Sequence, residues 1–234
     1  MLLLGIETST PICSVALSDS EHILAEYTLE LGIHHSERLL PMVQRILDDA
    51  AVSLPDLSGI AIASGPGSFT GLRIGMSTAK GLCMALDIPL LAVPTLQALA
   101  FSVLSNGMTV CAMLDARREE VYGGVYRLEA GGPVAFVEDQ AGCVRSFLSE
   151  LPRPVWFTGD GARAYREQIV EAIGVDAHFV PDSMGRPQAG SVVRLGIKLL
   201  NRGNVSDPGV VEPTYLRRSQ AEQVREARLK SGIP

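Results

Sequence analysis

Basic charge is in short supply: 20 lysines and arginines stand against 26 acidic residues, a formal net charge of −6. That balance excludes a strongly electropositive nucleic-acid-binding surface as the dominant property of the chain. Cysteine is sparse. Cys13, Cys83, Cys111 and Cys143 lie far apart, without a CxxC pair or zinc spacing, so buried free thiols in a reducing compartment are expected rather than a disulfide frame. No apolar run approaches the roughly 20 residues of a membrane span. Residues 1–4 are apolar but reach Glu7 at once with no basic leader, so no secretory signal is expected, and a cytoplasmic location is. The four histidines offer no metal-ligating spacing either. His34 and His35 are adjacent and would diverge by about 100° on a helix, while His22 and His178 are isolated. Ser68 lacks the spacing of a nucleophile elbow, so no catalytic triad is proposed.

What the chain does have is enough apolar material for a sizeable core: 47% hydrophobic and 20% charged residues over 234 positions, sufficient for one large or two modest domains. Its most organised stretch is Ser64-Gly65-Pro66-Gly67-Ser68-Phe69-Thr70-Gly71-Leu72-Arg73-Ile74-Gly75, which follows a short apolar run at 59–63 and opens a helical segment reaching about residue 86. A strand, a glycine-rich turn and a helix N-terminus in that order make a natural anion site. The same glycines equally serve a tight turn and close helix–sheet packing. No Lys-Ser/Thr pair follows, so this is not a Walker A loop, and the spacing is not the dinucleotide fingerprint.

Three short apolar runs at 2–7, 12–17 and 23–29 predict an antiparallel meander. A helix is expected over 35–50, whose apolar positions cover an arc of about 160°. That is wider than one sheet contact needs, which leaves part of the helix for a partner. Further strands are expected at 59–63 and 88–93, and a third helix at 95–104. A turn at 105–107 marks a boundary. Beyond it come strands at 109–114, 120–127 and 134–138, a helix at 143–151, a strand at 155–158, and helices at 162–173 and 192–200. The expected organisation is therefore an N-terminal α/β unit at 1–106, a smaller C-terminal α/β unit at 107–216 and a basic tail at 217–234. The two units suggest a distant duplication without a visible sequence repeat. The tail carries Arg217, Arg218, Arg225, Arg228 and Lys230.

Three motifs in order, Gly5-Ile6-Glu7-Thr8-Ser9, His35-Ser36-Glu37-Arg38-Leu39-Leu40-Pro41 and the glycine loop, resemble the TsaB (YeaZ) family. The resemblance covers most of the chain and weakens after about residue 128. It implies an actin-like (ASKHA) α/β fold of two subdomains, the second reduced. It also implies a non-catalytic partner of TsaD, the enzyme that places a threonylcarbamoyl group on the adenosine beside the tRNA anticodon. TsaD enzymes carry two histidines four residues apart on one helix, and two imidazoles at that spacing reach one metal ion. The matching positions here are Thr95 and Leu99, so no metal, cofactor or catalytic residue is expected. The family further implies pairing through the first two helices. Leu40, Val43, Leu47, Met76 and Cys83 are the residues expected to be shared with the partner, and Gly71, Gly75 and Ala79 would permit close approach. A TsaE-like ATPase in the larger assembly, tRNA contacted through the catalytic partner, and a homodimer of the chain alone complete the expectation.

Two other readings remain open from the residues alone. A stand-alone actin-like phosphotransferase or ATPase would use Glu7 and Asp115 at a metal, the 65–71 loop near phosphate, and the Gly159-Asp160-Gly161 turn near an adenosine. A tRNA-binding module would instead rest on the tail arginines.

Overall fold

The computed structural model describes residues 1–30, 32, 34–103 and 106–217. Its first sheet begins with β1 (Leu3–Glu7), β2 (Ile12–Ser18) and β3 (Ile23–Glu30), an antiparallel meander as expected. The chain then forms α1 (His35–Asp49), β4 (Gly59–Ala63), α2 (Phe69–Leu86), β5 (Leu90–Val93) and α3 (Thr95–Phe101). β4 pairs parallel with β1, and β5 parallel with β4, giving the order β3-β2-β1-β4-β5. Every residue of β1 and β4 is buried. Burial along the whole length, apolar but for Glu7 at the end of β1, is what strands covered on both faces require.

The second sheet repeats the plan. β6 (Thr109–Arg117), β7 (Glu120–Glu129) and β8 (Gly132–Cys143) form a meander. After α4 (Val144–Ser149), β9 (Val155–Thr158) pairs parallel with β6. α5 (Asp160–Ala164), α6 (Arg166–Ile173) and β10 (Ala177–Phe179) follow, giving the order β10-β9-β6-β7-β8. Both sheets thus share one topology, that of the actin-like fold. α7 (Ala189–Asn201) comes last. Although it falls in the second half of the sequence, it packs on the first sheet, where Val192 and Val193 join Leu3, Ala61 and Leu91 in one core. A side chain at Gly196 would run into Ala61, so this contact depends on glycine.

The other core regions follow from helix placement. α1 and α2 cover the opposite face of the first sheet through Leu39, Ile46, Leu47 and Met76. α4 and α6 cover the second sheet through Phe147, Leu148 and Ile169. Short α3 fills the space beside β6, with Leu96, Leu99 and Ala100 against Val110, Ala112 and Tyr126.

Three local expectations differ from the structure. The helix expected at 162–173 is broken at Tyr165, whose backbone leaves the helical region and whose hydroxyl donates to Asp115 Oδ1 at 3.0 Å. β8 runs on to Cys143, because its apolar residues Val134 and Phe136 are exposed and its second half is polar, so this edge strand shows no apolar alternation for sequence to detect. Cys143 is exposed, while Cys13, Cys83 and Cys111 are buried free thiols. Among the described residues no helix is long and apolar enough to cross a membrane. Of the basic tail residues, Arg217 is described; Arg218, Arg225, Arg228 and Lys230 lie outside the described residues.

Candidate functional site

The glycine loop does its expected structural work first. Ser68 caps α2 by accepting the Gly71 N–H at 3.3 Å, and its own N–H donates to the Ser9 carbonyl at 2.6 Å. The Thr8 hydroxyl donates to the Gly71 carbonyl at 2.8 Å. The turn after β1 and the N-terminus of α2 are thereby bound together. Across from them lie the end of β6 and the start of α5, and between the walls is a cleft of about 620 Å³. Ser9, His35, Ser68 and Thr70 line one side, and Asp115, Arg117 and Asp160 the other.

The acidic groups at this cleft are already engaged. Asp115 Oδ1 accepts from the Arg117 N–H at 2.8 Å and from Tyr165, and Oδ2 lies 3.2 Å from Arg117 Nη1. Asp160 accepts the Asp115 N–H at 3.0 Å, and burial holds its carboxyl above the usual carboxylate range. Glu7 does not line the cleft. It is fully buried beneath it, with Oε1 accepting the Ser9 N–H at 2.5 Å and Oε2 without a partner among the described residues. Burial pushes its pKa up to about 7, against the lowering effect of Ser9. The Glu7–Asp115 pairing expected for a stand-alone ATPase is therefore not assembled as a cleft-facing pair. Among the described residues no group of three His, Cys, Asp or Glu side chains is placed to hold a metal.

The two positions where TsaD-like enzymes carry histidines are filled by other chemistry. Thr95 is fully buried at the start of α3. Its N–H donates to the Gly65 carbonyl at 2.8 Å, and its hydroxyl oxygen accepts the Gly65 N–H at 3.1 Å. It is thus a clamp on the glycine loop. Leu99 is a fully buried core residue among Leu96, Val110 and Leu114. His35 is buried with Nε2 2.8 Å from the Thr10 carbonyl.

The second candidate is the outer face of α1 and α2. Of the five residues expected there, Leu40 is 53% exposed, whereas Val43, Leu47, Met76 and Cys83 are each 3% exposed or less. Those four belong to the core between the helices and the sheet. The wide apolar arc of α1 has a simple cause: the helix packs on the sheet and on α2 at once, which consumes most of the arc within the chain. The exposed face is narrower and contains Met84, 66% exposed, a residue the sequence pattern did not single out. Ser77, Gly81 and Met84 are all exposed and recur at i, i+4 and i+7, so they share one face of α2. Ser77 and Gly81 were legible as small residues on the side opposite the apolar stripe, whereas Met84 carried no such mark.

Comparison with known proteins bears on both candidates. Residues 23–224 match the family described as TsaD, tRNA N6-adenosine threonylcarbamoyltransferase. The tRNA threonylcarbamoyladenosine biosynthesis protein TsaB of Bacillus subtilis is 33% identical over 95% of this chain and 96% of its own length. Its Escherichia coli namesake is 33% identical over 94% and 96%. The structure of YeaZ from Pseudomonas aeruginosa superposes with a TM-score of 0.79 at 32% identity, covering 92% of this chain and 99% of that one.

Proposed function

Since the chain belongs to the TsaB family of tRNA threonylcarbamoyladenosine biosynthesis proteins, we propose that it serves that biosynthesis as a non-catalytic subunit, docking on a TsaD-like transferase and permitting its activity. The observation that carries the non-catalytic reading is the fate of Thr95 and Leu99. A leucine cannot bind a metal, and the one threonine hydroxyl is committed to Gly65. Restoring a two-histidine site there would mean replacing a loop clamp and a core residue.

The docking surface we propose is the exposed face of α1 and α2, centred on Leu40 and Met84. Small side chains at Ser77 and Gly81 let a partner helix approach closely. The same face would pair two copies of the chain when the transferase is absent. A TsaE-like ATPase completes the assembly, and tRNA is contacted through the transferase, in keeping with a net charge of −6. The proposed setting is the cytoplasm. Within the chain we propose subdomains at 1–106 and 107–216, with α7 returned to the first of them.

Light scattering on the chain alone and mixed with the TsaD-like protein of its own organism tests this reading. A new species at the mass of a one-to-one complex is expected. Two unchanged peaks would contradict it and direct attention to a stand-alone nucleotide-dependent activity.

A further inference from the structure

After α7 the chain travels back along the molecule. The Ser206 N–H donates to the Leu90 carbonyl at 2.8 Å, beside β5. The Val211 carbonyl accepts from Lys80 Nζ at 3.0 Å, and Val211 packs on the core beneath α1 and α2. The Thr214 N–H donates to the Ser64 carbonyl at 2.7 Å, at the glycine loop. The Tyr215 ring then lies 4.5 Å from that of Phe69, with the Arg73 guanidinium 3.9 Å from the Phe69 centroid and its Nε donating to the Tyr215 hydroxyl at 3.3 Å. Two residues later the chain reaches the other half. Arg217 Nη1 donates to the Ala116 carbonyl at 3.1 Å and forms an ion pair with Glu120 at 2.5 Å.

The turn that Arg217 grips is strained. Arg117, Arg118 and Glu119 have φ of 67°, 58° and 60°, three successive non-glycine residues in the left-handed region. L side chains disfavour that region, and such runs persist where their surroundings over-determine them. The turn is held by Asp115, which accepts the Arg117 N–H, by the Val144 N–H, which donates to the Glu119 carbonyl, and by Arg217 on either side of it. Asp115, Ala116 and Arg117 form part of the cleft wall, opposite the N-terminus of α2.

We propose that residues 206–217 are a clasp. Tyr215 fastens the strap to the first turns of α2, and Arg217 fastens it to the strained turn between β6 and β7, so that together they set the width of the cleft. The Arg217–Glu120 pair is partly exposed, with side chains 23% and 40% accessible. It is accordingly open to screening by salt and releasable without unfolding either sheet. Because α2 also carries the proposed docking face, a partner seated there and the state of the cleft act on the same helix. The clasp itself does not depend on that docking proposal.

Hydrogen exchange of the full-length chain tests the clasp in Arg217→Ala and in the milder Glu120→Gln. Amides at 116–121 and 66–71 are expected to exchange roughly tenfold faster in both variants, while those of β1 and β4 keep their protection. Raising salt to about 0.5 M should reproduce the local effect in the unaltered chain. Unchanged exchange at both segments in both variants would overturn the clasp. So would acceleration spread evenly over the core in the milder variant, since that would make Arg217 a general stability contact.

Discussion

Thr8 and Gly71 are joined where β1 meets α2: the threonine hydroxyl donates to the glycine carbonyl at 2.8 Å. The approach is so close that a Cβ on Gly71 would collide with the Thr8 backbone, and one on Gly75 with the Thr8 hydroxyl. The glycines of this loop are thus explained by packing without any ligand.

Gly71→Ala should destabilise the chain by about 1–3 kcal/mol, as an overpacked contact against backbone. Gly81 on the same helix is exposed, and among the described residues nothing lies within 4 Å of the point a Cβ would occupy. Gly81→Ala should therefore stabilise by up to about 1 kcal/mol through helix propensity. Urea unfolding of the two variants measures both, and equal signs would contradict the role given to packing.

Glu7 gives stability an unusual pH dependence. Its pKa is raised from 4.5 to about 7 by burial, so the protonated form is favoured in the folded state. The stability this contributes is fully present below pH 4.5 and is lost as pH rises through about 7. A difference of that size corresponds to on the order of 3 kcal/mol. Glu7→Gln should flatten the fall between about pH 4.5 and pH 8 in denaturant titrations. An unchanged slope would contradict the assignment.

Asp139 is a further raised carboxyl, as Asp160 is. Burial moves its pKa to about 6, against the lowering effect of the Tyr126 hydroxyl that donates to it. Tyr126→Phe should leave the ionised carboxylate short of a donor and cost about 1–3 kcal/mol above pH 6. The cost should shrink towards about pH 4, where Asp139 is protonated in either variant. A pH-independent loss would show that the tyrosine acts through packing alone.

Core and interface substitutions should separate cleanly. Leu47→Arg or Met76→Arg places an unpaired charge in a buried cluster and should unfold the isolated chain. Leu40→Arg with Met84→Arg should change its stability by no more than about 0.5 kcal/mol per site and abolish the complex with the transferase. Circular dichroism and light scattering read the two effects separately. A retained complex in the Leu40–Met84 variant would remove this face from consideration.

Much of this was legible in the sequence, and the failures share a cause. The alternation of turns and apolar runs announced the meander β1–β3, the glycine loop and the helix starting at Phe69, because each is specified locally. That Thr95 and Leu99 stand where TsaD-like enzymes carry histidines could be read directly. Which apolar residues of α1 and α2 stay exposed within the chain could not. Val43, Leu47, Met76 and Cys83 are apolar on the right helices, but whether an apolar position faces its own sheet or a partner is a tertiary fact. The break at Tyr165 and the strained turn at 117–119 were equally hidden, since both are held by distant residues: Asp115 in one case, Arg217 in the other. The return of α7 to the first sheet rests on Gly5 and Gly196 admitting the helix, and no periodicity announces such an approach.

The most direct test of the central claim is reconstituted threonylcarbamoyl transfer to tRNA, measured with the TsaD-like enzyme and its supporting factors in the presence and absence of this chain. Product is expected when both proteins are present, with none from this chain without the transferase and none in the Leu40–Met84 variant. Product formed by this chain with no TsaD-like enzyme present would contradict a non-catalytic role.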